Sequence, residues 1–117
     1  MTCIYGIATC DTMKKARLWL ADRGIDASFH NYKVQGIDRA HLQRWCAVLG
    51  WETVINRAGT TFRKLDEAQR HGLDEARAIE LMLAQPSLIK RPMLEHGDQV
   101  VAGFKPERYA TLLGVRG

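Results

Sequence analysis

No apolar run in this chain approaches the roughly 20 residues that a helix needs to span a bilayer. The opening MTCIYGIATCDTMKK lacks the basic-then-apolar order of a secretory signal. A cytoplasmic location is therefore the expectation, with no membrane partner. Cysteine is scarce: Cys3, Cys10 and Cys46 are an odd set with no C-x-x-C spacing. That excludes a disulfide framework and a thiolate metal cluster, and suits a reducing compartment. His30, His41, His71 and His96 stand singly, and none pairs at metal spacing. There is no Ser/His/Asp set, phosphate loop, repeat, low-complexity stretch or linker. The net charge is +4, but the basic residues form no block. This argues against a nucleic-acid partner and leaves attraction of a small anionic substrate as their use.

The chain has 117 residues, the size of one domain able to bury a core without staples. TCIYG at 2–6 reads as a strand ended by Gly6. Asp11 and Thr12 open a helix whose Ala16, Leu18, Trp19 and Leu20 share a broad face, with Gly24 as its stop. A second strand follows over about 27–33, completing a βαβ unit. Asp38 caps a helix over 39–49, on which Leu42, Trp45, Cys46 and Leu49 recur at helical spacing. Residues 51–65 carry turn signals and no long period. Asp74 caps a helix over 75–84. Two strands, 92–95 and 99–103, flank the turn His96-Gly97-Asp98, and a last helix has Pro106 in its first turn. The order β-α-β-α-α-β-β-α predicts an α/β fold: one mixed sheet with helices on its faces, thioredoxin-like in arrangement. An all-helical insert over about 37–86 lies within a single domain spanning 1–117.

Cys10 is the sharpest chemical feature. It lies between the first strand and the start of the first helix, where unpaired N–H groups and the positive end of the dipole stabilise a thiolate. Lys14 and Lys15, one turn on, are expected to add positive potential, and Asp11 to oppose it. The plain alternative is a small buried residue, since cysteine is among the most buried types. Cys3, inside a strand, and Cys46, on the apolar face of a helix, read as core. Arg57, Arg63 and Lys105 are candidate anion ligands, each weighed against an ordinary solvated charge. Arg91-Pro92 opens a strand and permits a cis bond.

Together YGIATCDTMKKAR, GTTFRKLDE and LIKRPML resemble the arsenate reductase-like (ArsC/Spx) family, and within it the YffB branch. The likeness covers residues 2–113. It implies a thioredoxin-like fold with a helical insert, Cys10 as catalytic cysteine, and a cis Arg91–Pro92 bond beside it. It also implies Arg91 as an anion-binding arginine and Arg57 near the arginine of the insert-end loop. Lys105 stands where the arsenate reductases have arginine before proline, keeping the charge but losing the planar fork. They also carry a histidine where this chain has Gly6-Ile7, and a serine where it has Met13. The family's redox regulators have a second cysteine at that last position, so Met13 excludes a C-x-x-C cycle.

What remains is a monothiol mechanism: a Cys10 thiolate attacks an oxidised thiol or small disulfide, and an external thiol resolves the adduct. Glutathione is the expected co-substrate, with no bound cofactor. Its carboxylates suit Arg57, Arg91 and Lys105, with Lys14 and Pro92 also in the substrate set. The expected activity is that of a glutathione-dependent thiol-disulfide reductase. The alternatives are an arsenate reductase coupled to glutathione and glutaredoxin, and a non-enzymatic regulator that binds RNA polymerase.

Overall fold

Gly6 ends the first strand as the sequence expects, and β1 spans Thr2–Gly6. The structure is a computed structural model that describes residues 1–115. Along the chain follow α1 (Asp11–Asp22), β2 (Ala27–Asn31), α2 (Tyr32–Gln35), α3 (Arg39–Leu49), α4 (Trp51–Val54) and α5 (Thr60–Arg63). Then come α6 (Glu67–Arg70), α7 (Glu75–Ala84), a 3-10 turn (Pro86–Leu88), β3 (Met93–His96), β4 (Gln99–Ala102) and α8 (Pro106–Leu113). The chain forms two compact units, Met1–Tyr32 with Arg91–Gly117, and Lys33–Lys90.

The first unit holds a four-stranded mixed sheet in the order β2-β1-β3-β4. β2 runs parallel to β1, while β3 is antiparallel to both β1 and β4. This β-α-β, β-β-α arrangement is the thioredoxin-like fold. Side chains alternate across the sheet. Ile4, Leu94 and Val101 face Met13, Ala16, Trp19 and Leu20 of α1 and Tyr109 of α8. Trp19, Phe104 and Tyr109 meet edge to face in the same core. The Tyr109 hydroxyl donates to the Gly103 carbonyl at 2.8 Å, so its buried polar end is paired.

Cys3 and Tyr5 face the other side of the sheet. Tyr5 donates to Glu95 at 2.5 Å and stacks near His30. Cys3 is half-buried and hydrogen-bonds Tyr5, so the core role expected of it is only partly met.

The second unit is helical, apart from an isolated bridge between Ile55 and Ile89. The Asp38 and Asp74 side chains accept from the backbone N–H groups of His41 and Arg77 at 2.8 and 2.9 Å, closing the starts of α3 and α7 as the sequence predicts. Leu42, Trp45 and Cys46 of α3 are buried, and so are Ala78, Ile79 and Met82 of α7.

Several boundaries differ from the sequence reading, and β3, read as 92–95, is Met93–His96. β2 stops at Asn31 because β1 ends at its partner Gly6, leaving Tyr32 nothing to pair with; the chain turns into α2 instead. β4 stops at Ala102 because Gly103, at φ +81°, turns away and donates its N–H to the Pro92 carbonyl at 2.8 Å. The stretch read as turns over 51–65 contains α4 and α5, each a single turn and too short to show a helical period. The second unit also runs wider, Lys33–Lys90, than the 37–86 set for the helical insert. Among the described residues no helix is long and apolar enough to cross a membrane.

Leu94 pairs with Ile4 and Val101 at the middle of the sheet and is fully buried. Leu94→Ala should lower the unfolding free energy by about 2–5 kcal/mol. Val48→Ala, at an exposed site on α3, should change it by less than about 0.5 kcal/mol. Urea denaturation of the two variants checks both values.

Candidate active site

The loop from Ile7 to Cys10 closes on itself before α1 starts. The Cys10 N–H donates to the Ile7 carbonyl at 3.2 Å, and the Cys10 carbonyl accepts from the Lys14 N–H at 3.1 Å. Cys10 is thus the residue that caps α1, with extended backbone at φ −75° and ψ 127°. Its side chain makes no tight cap of the kind Asp38 makes. The amides of Met13 and Thr12 are aimed at a larger and softer atom, the half-buried Cys10 sulfur.

Four influences act on that sulfur against one. Partial burial is the largest and opposes ionisation. The Met13 amide, a hydrogen bond from the Arg91 side chain, the Thr12 amide and the Arg91 charge together outweigh it, and the thiol is more acidic than an ordinary cysteine. The expected helix-terminus effect is present. Arg91, 81 positions along the chain, acts on the sulfur both by hydrogen bond and by charge. The pairing of β1 with β3 brings it back to the end of β1.

Arg91 is half-buried, and the Arg91–Pro92 peptide bond is cis, as the resemblance implied. Pro92 is buried. Its carbonyl holds the Gly103 N–H, so the turn into α8 starts from the cis proline. Lys105 is two residues beyond Gly103, exposed, as the residue that caps α8. Lys14 is exposed, and its side chain lines a hollow with Arg17, Leu18, Ile25 and Asp26.

Arg57 belongs to the second unit, in the turn after α4. It is half-exposed, 3.6 Å from Glu52 and 5.9 Å over the Trp51 ring. An exposed pair of this kind contributes little to stability.

The other two thiols are the reverse of Cys10. Burial pushes Cys46 up to about 11, with Glu75 adding to the rise. Burial also raises Cys3; its hydrogen bond with Tyr5 works against this, and the Glu95 charge reinforces it. Sequence reasoning missed the amides of Thr12 and Met13 as the specific groups facing the sulfur. It also missed Tyr32, whose hydroxyl is buried with no hydrogen-bond partner among the described residues. Burial is the main cause of the raised pKa of Tyr32, with the Tyr5 charge next and the Arg91 charge acting the other way. A tyrosine at a strand end carries no signal that would single it out.

The ArsC family model matches residues 5–112. The chain belongs to the ArsC family. Among solved structures it is similar to the YffB protein, with 65% identity over 97% of this chain and 99% of that one, at a TM-score of 0.94. An arsenate reductase (ArsC) related protein from Brucella melitensis is 54% identical over 97% of this chain and 95% of that one, at a TM-score of 0.76. The global transcriptional regulator Spx of Streptococcus pyogenes serotype M3 is 26% identical over 97% of this chain and 85% of its own. ArsC-family membership makes the fold that of an arsenate reductase-like thiol reductase.

A Cys10 thiol lowered below its ordinary value of about 8.5 gains thiolate as pH rises through that lowered value. The rate of Cys10 alkylation by iodoacetamide should follow this midpoint and fall away below it. Arg91→Ala removes both a hydrogen bond to the sulfur and a nearby positive charge, so its midpoint should move upward. At neutral pH the mapped adduct should lie on Cys10 and not on Cys3 or Cys46.

Proposed function

We propose that this chain is a glutathione-dependent thiol-disulfide reductase that works through Cys10 alone. The observation that carries the reading is the Arg91 side chain hydrogen-bonded to a Cys10 sulfur that also faces two helix amides. Such a site favours the thiolate, which is the nucleophile in disulfide exchange. In the first step the thiolate attacks the glutathione sulfur of a mixed disulfide. The substrate S–S bond breaks, the substrate thiolate leaves and takes a proton from water, and glutathione remains bonded to Cys10. In the second step the thiolate of another glutathione attacks that sulfur. Oxidised glutathione leaves, and the Cys10 thiolate returns.

Arg91 serves both steps, since it favours charge on Cys10 and offers a planar fork to a glutathione carboxylate. Lys105 and Lys14 supply further positive charge for the same tripeptide, and Pro92 walls the site. The protein needs no bound cofactor and works in the reducing cytoplasm, without a membrane or nucleic-acid partner.

Likeness to Spx favours a second reading, a regulator that binds RNA polymerase. That reading expects capture of polymerase subunits that is unchanged in Cys10→Ser, with no turnover. Arsenate reduction is the weaker alternative, because Met13 packed on Gly6 takes the positions of the two polar residues that the arsenate reductases carry.

The test is mass spectrometry after treatment with oxidised glutathione, joined to steady-state reduction of a small glutathione mixed disulfide. A single adduct on Cys10, released by reduced glutathione, supports the reading. An adduct confined to Cys3 or Cys46, or no turnover, overturns it. Arg91→Ala should raise the apparent KM for glutathione about ten- to hundredfold, the loss of a charge-assisted hydrogen bond of about 1.5–3 kcal/mol. Raising the pH should restore its first step but not this KM. Arg91→Lys should rescue in part, and Arg57→Ala should have a smaller effect than Arg91→Ala because Glu52 already meets the Arg57 charge.

A further inference from the structure

Met13 is the third residue of α1 and is fully buried. Its thioether lies against the last residue of β1. A Cβ placed on Gly6 would stand 2.8 Å from both Cγ and Cε of Met13, and closer still to Sδ. Side-chain carbons do not approach so closely, so one of the two groups must move. A flexible side chain often swings aside at small cost, but Met13 is fully buried, and overfilling a well-packed core is costly. Gly6 is absent from the glycines with positive φ, so its backbone accepts an alanine. The position excludes a larger residue for one reason, the space that Met13 occupies.

The same Met13 supplies one of the two amides that face the Cys10 sulfur, and Thr12 supplies the other. Side chain and amide belong to one residue in the first turn of the helix. Whatever fixes the side chain against β1 also fixes how the amide is presented.

We propose that Gly6 and Met13 form a positioning pair, in which the methionine side chain seated over the bare Cα of Gly6 holds the first turn of α1 where its amides face Cys10. The proposal rests on Cys10 as the reactive thiol and needs no particular co-substrate. Position 6 is constrained to glycine only while position 13 is methionine. Shortening residue 13 makes room for a side chain at residue 6. The pair is therefore coupled, and its effect appears at a third residue that neither side chain replaces.

The experiment is a double-mutant cycle on the full chain with Gly6→Ala, Met13→Ala and the double variant. Each is measured by urea denaturation and by thiolate absorbance against pH, with Cys10→Ser as blank. Gly6→Ala should raise the Cys10 midpoint by about half a unit or more, about a threefold loss of thiolate well below the midpoint. Met13→Ala, which removes the seated side chain, should also raise the midpoint, and the double variant should raise it by less than the sum of the two single shifts. Its stability should exceed that expected from adding the two single losses. If Gly6→Ala does not fold, the double variant must fold, with a midpoint no higher than that of Met13→Ala. The proposal is overturned if either folded single variant titrates like the wild type, or if the double variant does not fold or shifts by the full sum. No glutathione enters these measurements, so a chain that lacks the proposed reductase activity can still show the coupling, and an active one can fail to show it.

Discussion

A half-buried sulfur at the start of α1 is more acidic than an ordinary thiol because the fold brings two amides and one guanidinium to it. Desolvation alone would make this thiol less acidic than one in water. The balance is reversed by groups from two places: the first turn of α1, and Arg91 immediately before β3. The sheet makes this possible. β1 and β3 are hydrogen-bonded neighbours running in opposite directions, so the end of β1 that leads to Cys10 lies beside the start of β3 that follows Arg91 and Pro92. The β3–β4 pair and the Gly103 turn then fasten Pro92 from its other side.

The two features that separate this chain from the arsenate reductases occupy one place in space. Read along the sequence, a glycine near the end of the first strand and a methionine in the first helix look like independent losses of polar groups. In the structure they are one contact. The groups that make Cys10 acidic are backbone amides and Arg91.

Much of the fold was legible because its signals are local. Asp38 and Asp74 mark the starts of α3 and α7, Gly6 marks the end of β1, and Pro106 marks the first turn of α8. Cys10 was legible for the same reason, since a thiol between a strand and a helix advertises its position. The one-turn helices Trp51–Val54, Thr60–Arg63 and Glu67–Arg70 were not, because four residues cannot display a period. The part that Arg91 plays in the acidity of Cys10 was not legible either. Lys14 and Lys15 are near in sequence, while Arg91 is near in space, and only the sheet register distinguishes the two. Cys3 looked like core because strand cysteines usually are; it hydrogen-bonds Tyr5 two residues on, and Tyr5 in turn bonds Glu95, 90 positions away on β3.

Placing a thioether three residues from a redox thiol carries a chemical hazard, because methionine oxidises to a polar, bulkier sulfoxide. Met13 escapes it by having no exposed surface at all. An oxidant arriving from solvent meets the half-exposed Cys10 sulfur first, and damage at cysteine begins with a sulfenic acid that a thiol can reverse. The same close packing that leaves no room for a side chain at Gly6 also keeps oxygen-transferring species from the methionine. The sulfur whose first oxidation step is reversible therefore faces outward, and the thioether faces inward.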